Sequence, residues 1–168
     1  MMVKLVNEKA PEDESVRDCQ SARGPVLALA WALRVMGGID LLSLLAVIMP
    51  RDWIAWWHAW TGLGELPVSP IVFYLARSAS ALYSLHGVLI IFLSTDVRRY
   101  WLVIRLLAWV ALVHGVLIFI IDWQAGLPLW WKLLEGPTFF MTGVIVLLLQ
   151  VWILKRDPQF VSKMYADQ

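Results

Sequence analysis

Cysteine is almost missing from this chain. Cys19 stands alone, so an intrachain disulfide and a thiolate metal cluster are both excluded. Charge is scarce as well, at 16% of residues, where soluble domains carry about 25%. The 14 basic and 13 acidic side chains nearly cancel, and no basic stripe with interleaved aromatics marks a nucleic-acid surface. There is no phosphate-cradling glycine loop, no His-Glu-x-x-His zinc pair and no Gly-x-Ser-x-Gly nucleophile turn. No catalytic residue and no metal ligand is therefore assigned by motif. The opening residues are not expected to be a secretory signal. Residues 1–24 are polar, with Lys4, Glu8, Lys9, Glu12, Asp13, Glu14, Arg17, Asp18 and Arg23, and no short apolar core with a small-residue cleavage site follows them. They read as a cytoplasmic tail, solvated or held by a partner.

What the chain has instead is apolar length. It is 60% hydrophobic, with a mean hydropathy of +0.69, and the surplus is gathered into runs long enough to cross a bilayer as helices. The runs fall at about residues 25–49, 71–94, 100–121 and 133–154, inside one membrane domain over 25–154, and residues 155–168 form a second cytoplasmic tail. The expected fold is all-α: a four-transmembrane-helix bundle with an interfacial Trp-rich helix between spans 1 and 2.

Span 1 runs from Pro25 to Met49 and is ended by Pro50. It holds Arg34 and Asp40 on either side of Gly37-Gly38. Six residues apart, those two side chains point to different faces and do not pair within the helix. Next comes Arg51 to Leu66. Trp53, Trp56, Trp57 and Trp60 recur at helical spacing there, a face suited to the headgroup boundary. Asp52 fits an N-cap, Gly62 or Gly64 a stop, and His58 lies toward the other, exposed face. Pro67 and Pro70 precede span 2, where Arg77, Ser80, Ala81, Ser84 and Gly87 form a small-residue packing stripe, with His86 pointing away from Arg77. Span 3 contains Arg105 and His114 and ends at Asp122. A loop over Trp123–Lys132 leads to span 4, which opens with Glu135-Gly136-Pro137, the proline suited to a first helical turn. Glu135, Thr138 and Thr142 share a face.

Four spans put both termini on one side. Nine Lys and Arg side chains lie there against Arg51 and Lys132 opposite, so both termini are expected in the cytoplasm. Seven of the eleven Trp then belong to the outer loops.

A rise of about 1.5 Å per residue gives approximate depths. Arg77 comes out within reach of Glu135 or Asp122, and an interhelical ion pair is expected there. The pair is either structural or the floor of an outward-facing polar pocket. Asp40 and His114 come out level, so the carboxylate could orient the imidazole or relay its proton. Arg34 falls level with His86, nearer the inner face. His86-Gly-Val-Leu-Ile recurs as His114-Gly-Val-Leu-Ile, each nine residues after an arginine (Arg77, Arg105), which suggests an inverted repeat. The two imidazoles lie about 12 Å apart in depth, too far for one shared haem iron. Each could hold a separate haem or chlorophyll-type ring, its adjacent glycine admitting the flat macrocycle.

Arg34-x-x-Gly37 and the stripe from Arg77 to Gly87, with the size and four spans, resemble small DoxX-like membrane proteins. The resemblance covers the membrane core, but neither the N-terminal tail nor the Trp-rich segment. It implies a four-helix bundle, in some members associated with respiratory or redox complexes, and transfers no catalytic residue.

Three functions follow as expectations. The first is a non-catalytic accessory or structural subunit of a larger respiratory, redox or photosynthetic membrane complex, partnered by lipid and other membrane proteins. The second is a haem- or chlorophyll-type cofactor protein using His86 or His114. The third is a small enzyme or transporter with an outward-facing Arg77/Glu135/Asp122 site.

Overall fold

A computed structural model describes residues 12–160 and 162, with side chains from Gly24 onward. The remainder of the two polar tails, residues 1–11, 161 and 163–168, lies outside the described residues. Among the described residues the named helices follow in the order α1 (Glu12–Leu42), α2 (Leu44–Ile48), α3 (Arg51–Trp60), α4 (Pro70–Leu93), α5 (Trp101–Gln124) and α6 (Leu129–Arg156). No strand occurs among the described residues. Among the described residues four segments are long and apolar enough to span a membrane: Gly24–Ile48, Pro70–Leu93, Trp101–Gln124 and Leu129–Arg156.

Several boundaries differ from the sequence reading. α1 begins at Glu12 and runs through Pro25, so the first span continues a helix started within the polar segment. That span is also interrupted. α1 stops at Leu42, and Ser43 turns the chain into the short α2. The Ser43 hydroxyl donates to the Asp40 carbonyl at 2.5 Å, the back-bonding by which serine competes with a helix. Pro50, not Asp52, occupies the N-cap of α3, and Asp52 sits in the first turn. α3 ends as expected: Thr61 caps it, and Gly62 follows with φ +79°, a backbone state open to glycine. The loop before α6 shrinks to residues 125–128. Pro128 stands at the helix boundary and Pro137 lies inside α6 rather than in its first turn.

α1 packs along α4, and α5 along α6. The two pairs join through α1 and α6, while α4 and α5 do not pack along each other. Glycine sets both close crossings. A Cβ on Gly87 would stand 2.6 Å from the Gly37 carbonyl oxygen, and one on Gly115 would stand 2.7 Å from that of Gly136. Only hydrogen fits there, and the backbones touch. The two halves of the His-Gly-Val-Leu-Ile repeat thus mark the two crossings. The correspondence takes α4 to α5 and α1 to α6, which reverses the order of elements along the chain. A duplicated helix pair would keep that order, so the likeness is one of packing.

The buried apolar core gathers at the end of the bundle that carries the α4–α5 connection. Leu29, Leu33, Ile90, Leu93, Trp101, Ile104, Val146, Ile153 and Phe160 fill it. Gln150 is buried among them and donates from Nε2 to the Trp101 carbonyl at 3.2 Å. The opposite end is not filled in this way.

Candidate functional site

A cavity of about 400 Å³ occupies the space between α1, α4, α5 and α6, above that core. Its floor is aliphatic, with Leu33, Ile90, Leu93, Ile104 and Val146. Its upper wall is polar and aromatic, with Asp40, His86, Trp130, Trp131, Glu135 and Phe139. The volume is within the range of about 300–1,000 Å³ found for small-molecule sites. The polar wall is built by two groups of side chains.

The first joins α1 to α4. His86 Nδ1 lies 2.8 Å from Asp40 Oδ2. An ionised carboxylate only accepts, so the imidazole donates from Nδ1 and Nε2 is left over. Asp40 is set by the Gly37–Gly87 crossing, because a Cβ on Gly87 would also stand 3.0 Å from Asp40 Cβ. Below the helix break, the Ser43 hydroxyl lies 2.9 Å from Ser84 Oγ and 2.9 Å from the Ser80 carbonyl. His86 remains 43% exposed and Asp40 20%, so the pair faces open space.

The second group surrounds Glu135 on α6. Trp131 stands one turn earlier and donates from Nε1 to Glu135 Oε2. The Tyr83 hydroxyl of α4 reaches Oε1 at a long 3.5 Å. Tyr83 stacks on Phe139 at 6.0 Å between centroids, and His114 meets Phe139 edge-on at 4.9 Å. None of the described basic side chains pairs with Glu135.

Two expected pairings are therefore corrected. Arg77 does not pair with Glu135 or Asp122. Its Nη2 donates to the Met49 carbonyl at 3.1 Å, and its buried Nε has no partner. The reason is the stripe it belongs to: Ser80, Ser84 and Gly87 face α1, so Arg77 faces α1 as well. Asp40 pairs with His86 rather than His114. Counting depth from Ile71 treats α4 as though it began level with Met49. The Arg77–Met49 bond shows that α4 begins about seven residues beyond that level, which raises His86 by about 10 Å to meet Asp40.

The other predicted residues fall outside these groups. Arg34 is exposed, its guanidinium 5.4 Å from the Trp31 ring centroid. Asp122 is buried at 4% exposure near the end of α5, and its Oδ2 has no partner. His86 and His114 remain apart, each engaged with a different helix. His58 on α3 meets the Gly64 carbonyl through Nδ1 at 2.9 Å. Tyr83 and Trp131 escape the sequence reading. The i, i+4 spacing of Trp131 and Glu135 is the available signal, hidden when Trp131 is assigned to a loop. No grouping of three or more metal-ligating side chains occurs among the described residues. No family model, curated protein or solved structure matches this chain.

Proposed function

We propose that this chain is an integral membrane protein that binds a small lipid-soluble molecule in the cavity between its helices. The observation that carries this reading is the cavity itself. An aliphatic floor and a few convergent polar groups within one bundle are the makings of a small-molecule site. The route of access is lateral. α4 and α5 wall the cavity without packing along each other, so a molecule dissolved in the bilayer passes between them.

The same reading sets both termini in the cytoplasm and α3 in the outer headgroup layer. The distribution of basic residues supports the first. For the second, Trp53, Trp56, Trp57 and Trp60 are all exposed on a helix that packs along none of the spans. The resemblance of Arg34-x-x-Gly37 to DoxX-like proteins is kept as part of this proposal; within this chain Gly37 serves the contact with Gly87.

The test is extraction of the purified protein followed by mass spectrometry for bound small molecules, with Ala111→Trp as the filled-cavity control. A stoichiometric molecule present in the wild type and absent from the variant is expected. Equal recovery from both rejects the reading. A Soret or Qy absorption band would reassign the cavity to a haem or chlorophyll-type ring on His86.

An accessory role in a larger complex is the second reading, and one surface feature favours it. The small-residue stripe of α4 is consumed inside the chain, but Arg34 is exposed on α1 and Gly38, one turn on, has open space around it. A partner helix carrying a carboxylate would cover both. A native mass above that of the chain in mild detergent, reduced by Gly38→Leu, is the expected result.

A further inference from the structure

Resting on the cavity reading above, we infer that the bound molecule is an amphipathic cation, an amine or quaternary ammonium on an apolar body, with Glu135 as its counter-ion. Three ionisable side chains line the cavity. They are Asp40, His86 and Glu135. Asp40 and His86 answer each other at 2.8 Å. Glu135 is met only by neutral donors, the indole of Trp131 and the distant hydroxyl of Tyr83. Arg77, the cation nearest in the sequence reading, is committed to the Met49 carbonyl. His114 lies within electrostatic range of Glu135, but its ring packs edge-on against Phe139 and it makes no hydrogen bond to the carboxylate, so among the described residues Glu135 has no base in contact with it.

Inside a membrane an unmatched charge is costly, and whatever supplies the opposite charge is favoured. The walls suit a cation in a second way. Trp130, Trp131 and Phe139 border the same space as Glu135, and aromatic faces attract ammonium groups. An anion would meet Glu135 with repulsion and the ring faces with no gain. A neutral molecule would keep the apolar contacts and lose the charge-assisted one. The aliphatic floor, Leu33 to Val146, takes the apolar body.

The experiment uses the full chain in lipid nanodiscs and three probes: the neutral dye Nile red, tetraphenylphosphonium, and its isosteric anion tetraphenylborate. Nile red fluorescence in excess of that in empty nanodiscs reports the cavity, and this excess should be lost in Ala111→Trp. Tetraphenylphosphonium should displace the dye, with an affinity that falls about tenfold or more in Glu135→Gln and is largely retained in Glu135→Asp, while Nile red affinity stays within about twofold. Dye binding with equal phosphonium affinity in wild type and Glu135→Gln overturns the counter-ion while leaving the cavity reading intact. Dye binding that Ala111→Trp does not change overturns both. If Glu135→Gln does not yield folded protein, the wild type decides alone. Compared at equal concentration in the lipid, as set by uptake into empty nanodiscs, displacement by the phosphonium and not by the borate supports the inference; displacement by the borate at equal or lower concentration overturns it.

Discussion

His86 reaches Asp40 at 2.8 Å one residue before the point where α4 crosses α1. The other crossing repeats the arrangement with different chemistry. His114 precedes Gly115, and it meets Phe139, three residues after Gly136, just as Asp40 stands three after Gly37. One crossing thus carries an ionisable pair facing the cavity, and the other an imidazole held against a ring. Interhelical polar contacts in membranes average about 0.6 kcal/mol and reach about 1.7. A double-mutant cycle of Asp40→Ala and His86→Ala, read by thermal unfolding in micelles, is expected to give a coupling of about 0.6–1.7 kcal/mol. Additive effects would show that the two side chains merely lie close together.

The glycines at the crossings make a sharper prediction. A methyl group on Gly87 would meet the Gly37 carbonyl at 2.6 Å and the Leu41 nitrogen at 3.0 Å, and neither backbone atom can swing aside. Gly87→Ala should destabilise by about 1–3 kcal/mol, the usual cost of overpacking. Gly38 is the control. It lies in α1, and a Cβ there would have nothing within 4 Å of it, so Gly38→Ala should stabilise the helix by about 0.5–1 kcal/mol. Denaturant titration of both variants checks the pair. Similar gains in the two would mean that helix propensity, and not the crossing, governs the response.

Gln150 offers the opposite case, a buried polar group whose removal is cheap. Its Oε1 has no partner, and its one bond goes to a carbonyl inside the α5 helix, which has its own helical donor. Gln150→Leu removes the unmatched acceptor while keeping most of the volume. The change in stability should stay within about 1 kcal/mol and favour the variant. Gln150→Ala, which leaves a void beside Trp101, should cost about 1–3 kcal/mol. A loss in the leucine variant as large as in the alanine variant would mean that the Gln150–Trp101 bond stabilises the core.

Spans are legible in the sequence because a run of some twenty apolar residues has few other stable fates. Register is not legible. Nothing in residues 61–69 says how far α4 projects past Met49, and an offset of about seven residues moves His86 from an expected level with Arg34 to a contact with Asp40. Facing fails for a related reason. The stripe from Arg77 to Gly87 is recognisable as a packing surface, but helical periodicity does not name the helix it packs on. That helix is α1, so Glu135 finds Tyr83 and Trp131 instead of Arg77. Fine boundaries fail where proline can be read in two ways. Pro128 is the N-cap of α6 and Pro137 lies within it, which draws Trp130 and Trp131 out of the expected loop and into the cavity wall.

Topology is tested by labelling. The connections between spans are exposed at Glu65 on one side and Thr95 on the other. With nine basic residues on the side of the termini and two opposite, the α4–α5 connection is expected to face the cytoplasm. In a Cys19→Ser background, Glu65→Cys should react with a membrane-impermeant maleimide in intact cells. Thr95→Cys should react only after permeabilisation. The reverse pattern would invert the protein, placing α3 and its tryptophans at the inner surface and the polar end of the cavity toward the cytoplasm.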